Sequence, residues 1–122
     1  MMSAPAWIAV AALGAFGAVA RLLVEDVVSS RLPLTFPVGT LAVNLSGAFL
    51  LGLLTGVALT GNALVLAGGA TIGSYTTFST WMLETHSLAE DGRRMAAIAN
   101  VLVSVLVGLG AMVLGRALGG AF

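Results

Sequence analysis

Long runs of hydrophobic residues alternate with short polar stretches along the chain. The apolar segments lie approximately at residues 6–23, 38–59, 63–83 and 95–114. Each is close to the ~20 residues that a helix needs to cross a hydrocarbon core about 30 Å thick. The pattern predicts a single domain over residues 1–122. We expect an all-α membrane protein with four transmembrane helices per subunit and both termini on one side.

Glycines at helical spacing indicate close contacts between the predicted helices. Gly14 and Gly17 form a small-residue face on the first segment. Gly52 and Gly56 form a GxxxG pair on the second. Such residues let helix backbones approach closely. Residues 24–36, which contain charges and a proline, predict a polar hinge between the two segments.

The third segment contains a stretch that is unfavourable for a lipid-facing helix. Residues 68–81 read GGATIGSYTTFSTW, with glycines and β-branched residues first and hydroxyl side chains afterwards. Glycine costs about 1 kcal/mol relative to alanine inside a helix, and β-branched residues add further restriction. We expect the third helix to be broken between Gly73 and Thr76, where free carbonyls can bind a cation. A glycine-lined packing face is the alternative interpretation.

Polar side chains share a face on two other predicted helices. Thr40 and Asn44 are neighbours on the second helix by their spacing of four residues. Asn100 and Ser104 are neighbours on the fourth for the same reason. Burying an unpaired amide costs several kcal/mol, so these groups need partners. They serve either as contacts between helices or as parts of a polar track through the protein.

Phe78 and Trp81 lie near one face of the third helix, with hydroxyl side chains around them. Aromatic pairs in apolar helices usually serve packing, but a ring also carries a positive edge that can face an anion. Hydroxyls and ring edges together suit an anion that must be solvated and then released.

The composition supports the membrane class and argues against several functions. Hydrophobic residues make up 59% and charged residues 8%, against about 25% charged in soluble domains. A net charge of zero without a basic cluster argues against nucleic-acid binding. The absence of cysteine removes disulfides and thiol ligands. No pair of carboxylates lies inside the apolar segments and the single histidine, His86, lies in a loop, so we do not expect an enzyme.

Three sequence blocks occur in the order found in one family of membrane proteins. They are GAFGAVAR at residues 14–21, GTLAVNLSG at residues 39–47 and TTFST at residues 76–80, the last followed by Glu84. Together they resemble the Fluc (CrcB-type) family of small fluoride channels over essentially the whole chain. The five residues TTFST alone would be too short to exclude a chance match, whereas three blocks in the same order are specific to the family.

The resemblance implies an antiparallel, dual-topology dimer with two fluoride pores, which exports toxic fluoride passively across the inner cell membrane of a prokaryote. The implied partners are fluoride, the lipid bilayer and a second subunit, with no nucleic acid. A structural sodium ion is implied at the dimer interface, on the backbone carbonyls of Gly73 and Thr76. The implied fluoride pathway consists of Asn44, Phe78, Ser79, Thr80, Trp81 and Ser104. The implied vestibule consists of Arg21, Thr40 and Glu84.

The chain departs from the family pattern at three positions. Trp81 stands where a second phenylalanine is usual, and Ser74 stands where a second glycine is frequent. Asn100 stands where an aromatic residue is frequent. Fluoride still suits the remaining residues, because it is small, strongly hydrated and only accepts hydrogen bonds. Uncharged donors can replace its water, whereas a fixed positive charge would hold it too tightly for conduction.

The arginines predict a preferred orientation in the membrane. Arg21, Arg31, Arg93 and Arg94 lie on the side opposite the termini, against Arg116 alone on the other side. The positive-inside rule then favours termini outside the cytoplasm. The subunits of an antiparallel homodimer insert into the membrane in both orientations, so their arginines should be distributed almost equally between the two sides. We therefore hypothesise pairing with an oppositely oriented sister chain, with an identical copy as the alternative.

Two other functions are compatible with the residues taken alone. A proton-coupled small multidrug transporter is also a small four-helix antiparallel dimer. It needs a carboxylate inside the first helix, and Glu25 lies at the end of the predicted one. A non-transporting membrane scaffold leaves the aligned polar faces unexplained.

Overall fold

The computed structural model describes all 122 residues, and it confirms an all-helical chain without strands. The elements are α1 (Ala4–Arg31), α2 (Val38–Gly56), α3 (Gly61–Leu64), a π-helical stretch (Val65–Ile72), α4 (Gly73–Tyr75), α5 (Ser79–Glu90) and α6 (Arg94–Gly119). Helices α1, α2 and α6 are each long and apolar enough to cross a membrane. The shorter elements between Gly61 and Glu90 form the third segment.

Helix α1 is longer than the sequence pattern indicated. The hydroxyl of Ser3 caps its start by accepting the N–H of Ala6 at 3.4 Å. The helix continues through the charged residues to Arg31, so the prediction of a hinge at residues 24–36 is wrong for residues 24–31. No glycine or proline occurs between Gly17 and Pro33, and polar residues alone do not end a helix. Arg21 consequently lies about 15 Å along the axis from the end of α1, and not at the end itself.

Helices α2 and α6 run parallel and pack through glycines on both sides. A Cβ added to Gly52 would overlap the carbonyl of Met112. One added to Gly56 would overlap the carbonyl of Arg116, and Gly115 fits against α2 in the same way. The backbones approach this closely only because these positions lack side chains. The GxxxG pair of the second segment therefore lies in a helix–helix contact.

Helix α1 packs on the first half of the third segment, also through small residues. A Cβ on Gly17 would overlap the carbonyl of Thr71, and one on Gly14 would lie 3.3 Å from the hydroxyl of Ser74. At one end of the molecule, the Arg93 Nη1 donates to the carbonyl of Thr35 at 2.9 Å. This bond joins the α1–α2 loop to the α5–α6 loop. The other end holds both termini, because α1 begins and α6 ends there.

The predicted break in the third segment is confirmed, but it starts later than the glycines. The glycine-rich residues form the π-helical stretch, and Gly73 still lies in the helical turn of α4. Helix α4 ends at Tyr75, the backbone of Thr76 is extended (φ −80°, ψ 160°), and α5 begins at Ser79. A π-helical stretch beside a break is typical of functional positions in helices.

Candidate functional site

An open groove of about 480 Å³ lies where the break of the third segment faces α2 and α6. Four of the residues predicted for the ion pathway line it, namely Asn44, Phe78, Trp81 and Ser104. Gly73 and Thr76 line it as well, whereas Ser79 and Thr80 do not. The remaining lining is largely apolar, with Leu51, Ile72, Val105, Leu109 and Met112 among its members. The groove is therefore an apolar surface with a few polar groups.

Asn44 stabilises the break, because its side-chain amide takes the place of a backbone hydrogen bond of the helix. Its Nδ2 donates to the carbonyl of Thr77, and its Oδ1 accepts the N–H of Thr77, both at 2.9 Å. In a continuous helix that N–H would bond to the carbonyl of Gly73. One N–H of the Asn44 amide has no protein partner and remains available at the groove.

Thr77 is the residue that sequence reasoning missed. Its hydroxyl accepts the backbone N–H of Thr80 at 3.2 Å, which caps the start of α5. It also donates to the Thr80 hydroxyl at 3.2 Å and lies 3.5 Å from that of Ser79. A threonine three residues before a helical N–H is a capping signal that the sequence did contain.

Phe78 and Trp81 form one wall of the groove. Their rings meet edge to face, with centroids 5.8 Å apart and an angle of 83° between the planes. Phe78 is 70% exposed in the single chain, so its ring is largely uncovered. The Trp81 Nε1 donates to the backbone carbonyl of Asn100 at 3.1 Å, which turns the indole donor away from any ligand of the groove.

Asn100 and Ser104, which were predicted to share a polar face of the fourth segment, lie in different surroundings. Asn100 is 1% exposed and packs against α5, where its amide donates to Thr85 Oγ1 at 2.9 Å. Ser104 lines the groove, and its hydroxyl has no protein partner. Asn100 is thus a contact between helices, and Ser104 is a free donor on the lining of the groove, which also includes Asn44.

The backbone carbonyls of Gly73 and Thr76 at the break accept no hydrogen bond within the chain. The carbonyl of Gly73 loses its helical partner because the N–H of Thr77 bonds to Asn44. The carbonyl of Thr76 is likewise free, because the N–H of Thr80 bonds to the Thr77 hydroxyl. Unwound carbonyls of this kind are the ligands that sodium ions use in broken membrane helices. The pair of free oxygens fits a hard cation.

A second cavity, of about 330 Å³, lies at the end of the molecule that holds the α1–α2 loop. Thr40 donates from Oγ1 to Glu84 Oε1 at 2.8 Å, and Glu25 and Asp26 line the same space. One oxygen of Glu25 and the second oxygen of Glu84 are buried without a partner. The structure thus brings two of the predicted vestibule residues together, while Arg21 is not part of this lining.

Comparison with known proteins agrees with this arrangement. The sequence model of the family described as "CrcB-like protein, Camphor Resistance (CrcB)" matches residues 8–116. The chain is 54% identical over 110 residues to "Fluoride-specific ion channel FluC 2" of Mycobacterium tuberculosis (strain ATCC 25618 / H37Rv), covering 90% of this chain and 87% of the relative. It is 50% identical over 118 residues to "Fluoride-specific ion channel FluC 2" of Mycolicibacterium paratuberculosis, covering 97% of each. It is 44% identical over 119 residues to "Fluoride-specific ion channel FluC 1" of Symbiobacterium thermophilum, covering 93% and 96%. The chain belongs to the CrcB-like family.

Proposed function

We propose that the protein is a fluoride-selective ion channel, not an enzyme, and that it releases fluoride passively across the inner membrane of a prokaryotic cell. The observation that carries the proposal is the groove, where uncharged hydrogen-bond donors and an aromatic wall meet inside an apolar helical protein. The names of the relatives, which specify fluoride channels, support the choice of ion.

The donors of the groove match what fluoride requires. The free N–H of Asn44 and the hydroxyl of Ser104 have no protein partners, so they can replace water around an anion. The exposed ring of Phe78 offers its positive edge from the other wall. No charged side chain lines the groove, so binding stays weak enough for the ion to leave.

A second subunit completes the pathway in this proposal. The groove is open, and Phe78 would face lipid in a single chain. Polar backbone at membrane depth is tolerated only against protein or water. We propose that α1, α2, the broken third segment and α6 form four spans, and that two such subunits pair in antiparallel orientation with two pores. The free donors of each groove are then covered by the partner.

The free carbonyls of Gly73 and Thr76 support a sodium site in the same interface. They line the groove that the partner would cover, and two subunits together would supply four oxygens. A bound sodium ion would stabilise the pair of broken helices electrostatically. The contribution of this chain is to hold both carbonyls free, which it does through Asn44 and Thr77.

The partner in the dimer follows from the distribution of arginines. Arg31, Arg93 and Arg94 lie at the end where the Arg93–Thr35 bond joins the loops, and Arg116 lies near the other end. This bias favours one orientation. We propose pairing with an oppositely oriented sister chain; full fluoride efflux from the chain expressed alone would exclude that and favour an identical copy.

The function is tested by efflux from liposomes that contain the purified protein together with its dimer partner. We expect fluoride efflux with chloride efflux at background, and loss of fluoride efflux in Asn44→Ala. Chloride efflux comparable to that of fluoride would contradict the proposal. Accumulation of a cationic drug driven by a proton gradient would favour the small multidrug alternative.

A further inference from the structure

Trp81 of the aromatic wall and two residues behind it form a closed ring of hydrogen bonds. The indole Nε1 of Trp81 donates to the carbonyl of Asn100 at 3.1 Å. The amide of Asn100 donates to Thr85 Oγ1 at 2.9 Å. The hydroxyl of Thr85 donates to the carbonyl of Trp81 at 2.8 Å. Each residue of the ring therefore holds the other two.

Two members of the ring, Asn100 and Thr85, lie outside the groove, whereas the third, Trp81, lines it. Asn100 is one of the two largest fully buried side chains, and it does not line the groove. An amide buried in an apolar bundle is costly unless it is hydrogen-bonded, so the bond to Thr85 is what makes this position tolerable. Neither Asn100 nor Thr85 can touch an ion in the groove.

The ring fixes both walls of the groove relative to each other. Trp81 is held by its indole and by its carbonyl, and Phe78 rests on it edge to face. In α6 the carbonyl of Asn100 also faces the N–H of Ser104 in the regular helical pattern. The same carbonyl thus connects the aromatic wall on α5 with the donor on α6.

We propose that Thr85 and Asn100 are positioning residues that act through Trp81 to set the width of the pathway and so its rejection of larger halides. This inference rests on the proposed function. When the aromatic rings of Phe78 and Trp81 are held at one position, the pathway admits an ion of one size. When the hydrogen bonds that hold Trp81 are lost, its side chain moves and opens space for chloride. Discrimination by size in an apolar pocket amounts to about 10–200-fold, which is large enough to measure.

The test compares fluoride and chloride efflux from liposomes with the same protein content. The variants are Thr85→Val and Asn100→Leu, each of which removes the hydrogen bond between these two side chains. The control is Trp7→Phe, because Trp7 is exposed on α1. We expect the ratio of fluoride to chloride efflux to fall about tenfold or more in the two variants and to stay unchanged in the control. A variant that only folds less well loses both fluxes equally and keeps the ratio.

The combination of Thr85→Val with Asn100→Leu separates a shared role from independent ones. The effects of substitutions within one hydrogen-bonded ring are not additive. The double variant should therefore be no less selective than the less selective of the two single variants. A wild-type ratio in all variants would overturn the inference while leaving fluoride conduction intact. Absence of fluoride efflux in the wild type, by contrast, would overturn the proposed function.

Hydrogen exchange of the indole N–H groups provides a readout that needs no ion flux. The chain has only two tryptophans, so the Trp7 signal serves as an internal control. We expect the Trp81 indole to exchange more slowly than that of Trp7, and to exchange faster in Thr85→Val. Equal exchange of the two indoles in the wild type would contradict the ring.

Discussion

The amide of Asn44 forms two hydrogen bonds of 2.9 Å with the backbone of Thr77, which lies 33 residues away in the chain. A side chain of α2 thereby takes the N–H and the carbonyl that a continuous third helix would use for itself. The bonds keep the break open and free the carbonyl of Gly73. One residue is therefore responsible both for a donor at the groove and for the shape of the backbone around it.

Replacing Asn44 by alanine should abolish fluoride efflux and lower stability together. The variant leaves the N–H and the carbonyl of Thr77 without partners, which costs about 1–3 kcal/mol for each buried group. Fluoride efflux and thermal unfolding in detergent measure the two effects. Asn62→Ala is the matched control, because Asn62 is exposed in the short helix α3 and makes no side-chain hydrogen bond. An Asn44→Ala channel with normal efflux would refute the role of this pair.

Replacing Phe78 by leucine should reduce fluoride efflux about tenfold or more without changing stability. Leucine keeps the apolar volume but has no positive ring edge, and a tenfold change corresponds to ~1.4 kcal/mol. Phe16→Leu serves as the control, since Phe16 is 64% exposed on α1 and lies away from the groove. Equal efflux from the two variants would show that the ring edge does not contribute.

Replacing Gly52 by alanine should destabilise the packing of α2 on α6. The added Cβ overlaps the carbonyl of Met112, and overpacking of this kind costs about 1–3 kcal/mol. Gly110→Ala is the control, because no atom lies within 4 Å of a Cβ at that position of α6. We expect a lower melting temperature for Gly52→Ala and an equal or higher one for Gly110→Ala. The reverse order would contradict the glycine contact.

Removing sodium should weaken the dimer. A ligand that binds only the assembled state stabilises it by ~1.4 kcal/mol for each tenfold rise above its dissociation constant. We therefore expect the dimer to melt or dissociate earlier when sodium is replaced by a large organic cation at equal ionic strength. Dimer stability that does not depend on sodium would argue against the site on the Gly73 and Thr76 carbonyls.

Features set by helix geometry could be predicted from the sequence. The spacing of four residues placed Gly52 and Gly56 on one contact face and placed Asn44 towards the groove, because the helical period fixes which residues are neighbours. The glycines and β-branched residues also predicted that the third helix would be broken. These are local properties of the chain.

Features that depend on distant partners could not be predicted. The break starts at Thr76 rather than at Gly73 because Asn44 bonds to the next residue, and no local pattern shows that contact. Asn100 and Ser104 are rotated by about 40° from each other on α6, yet one meets α5 and the other meets the groove. Helical spacing predicts which residues share a face, but the contacts of each residue depend on the neighbouring helices.

Fluoride-electrode recordings from liposomes that contain this chain together with its dimer partner test the proposed function most directly. Parallel recordings with a chloride electrode and cross-linking of the same sample report selectivity and assembly. We expect rapid fluoride efflux, chloride efflux at the level of empty liposomes, and loss of fluoride efflux in Asn44→Ala. Chloride efflux as fast as that of fluoride, or no fluoride efflux from a sample that cross-linking shows to be dimeric, would contradict it.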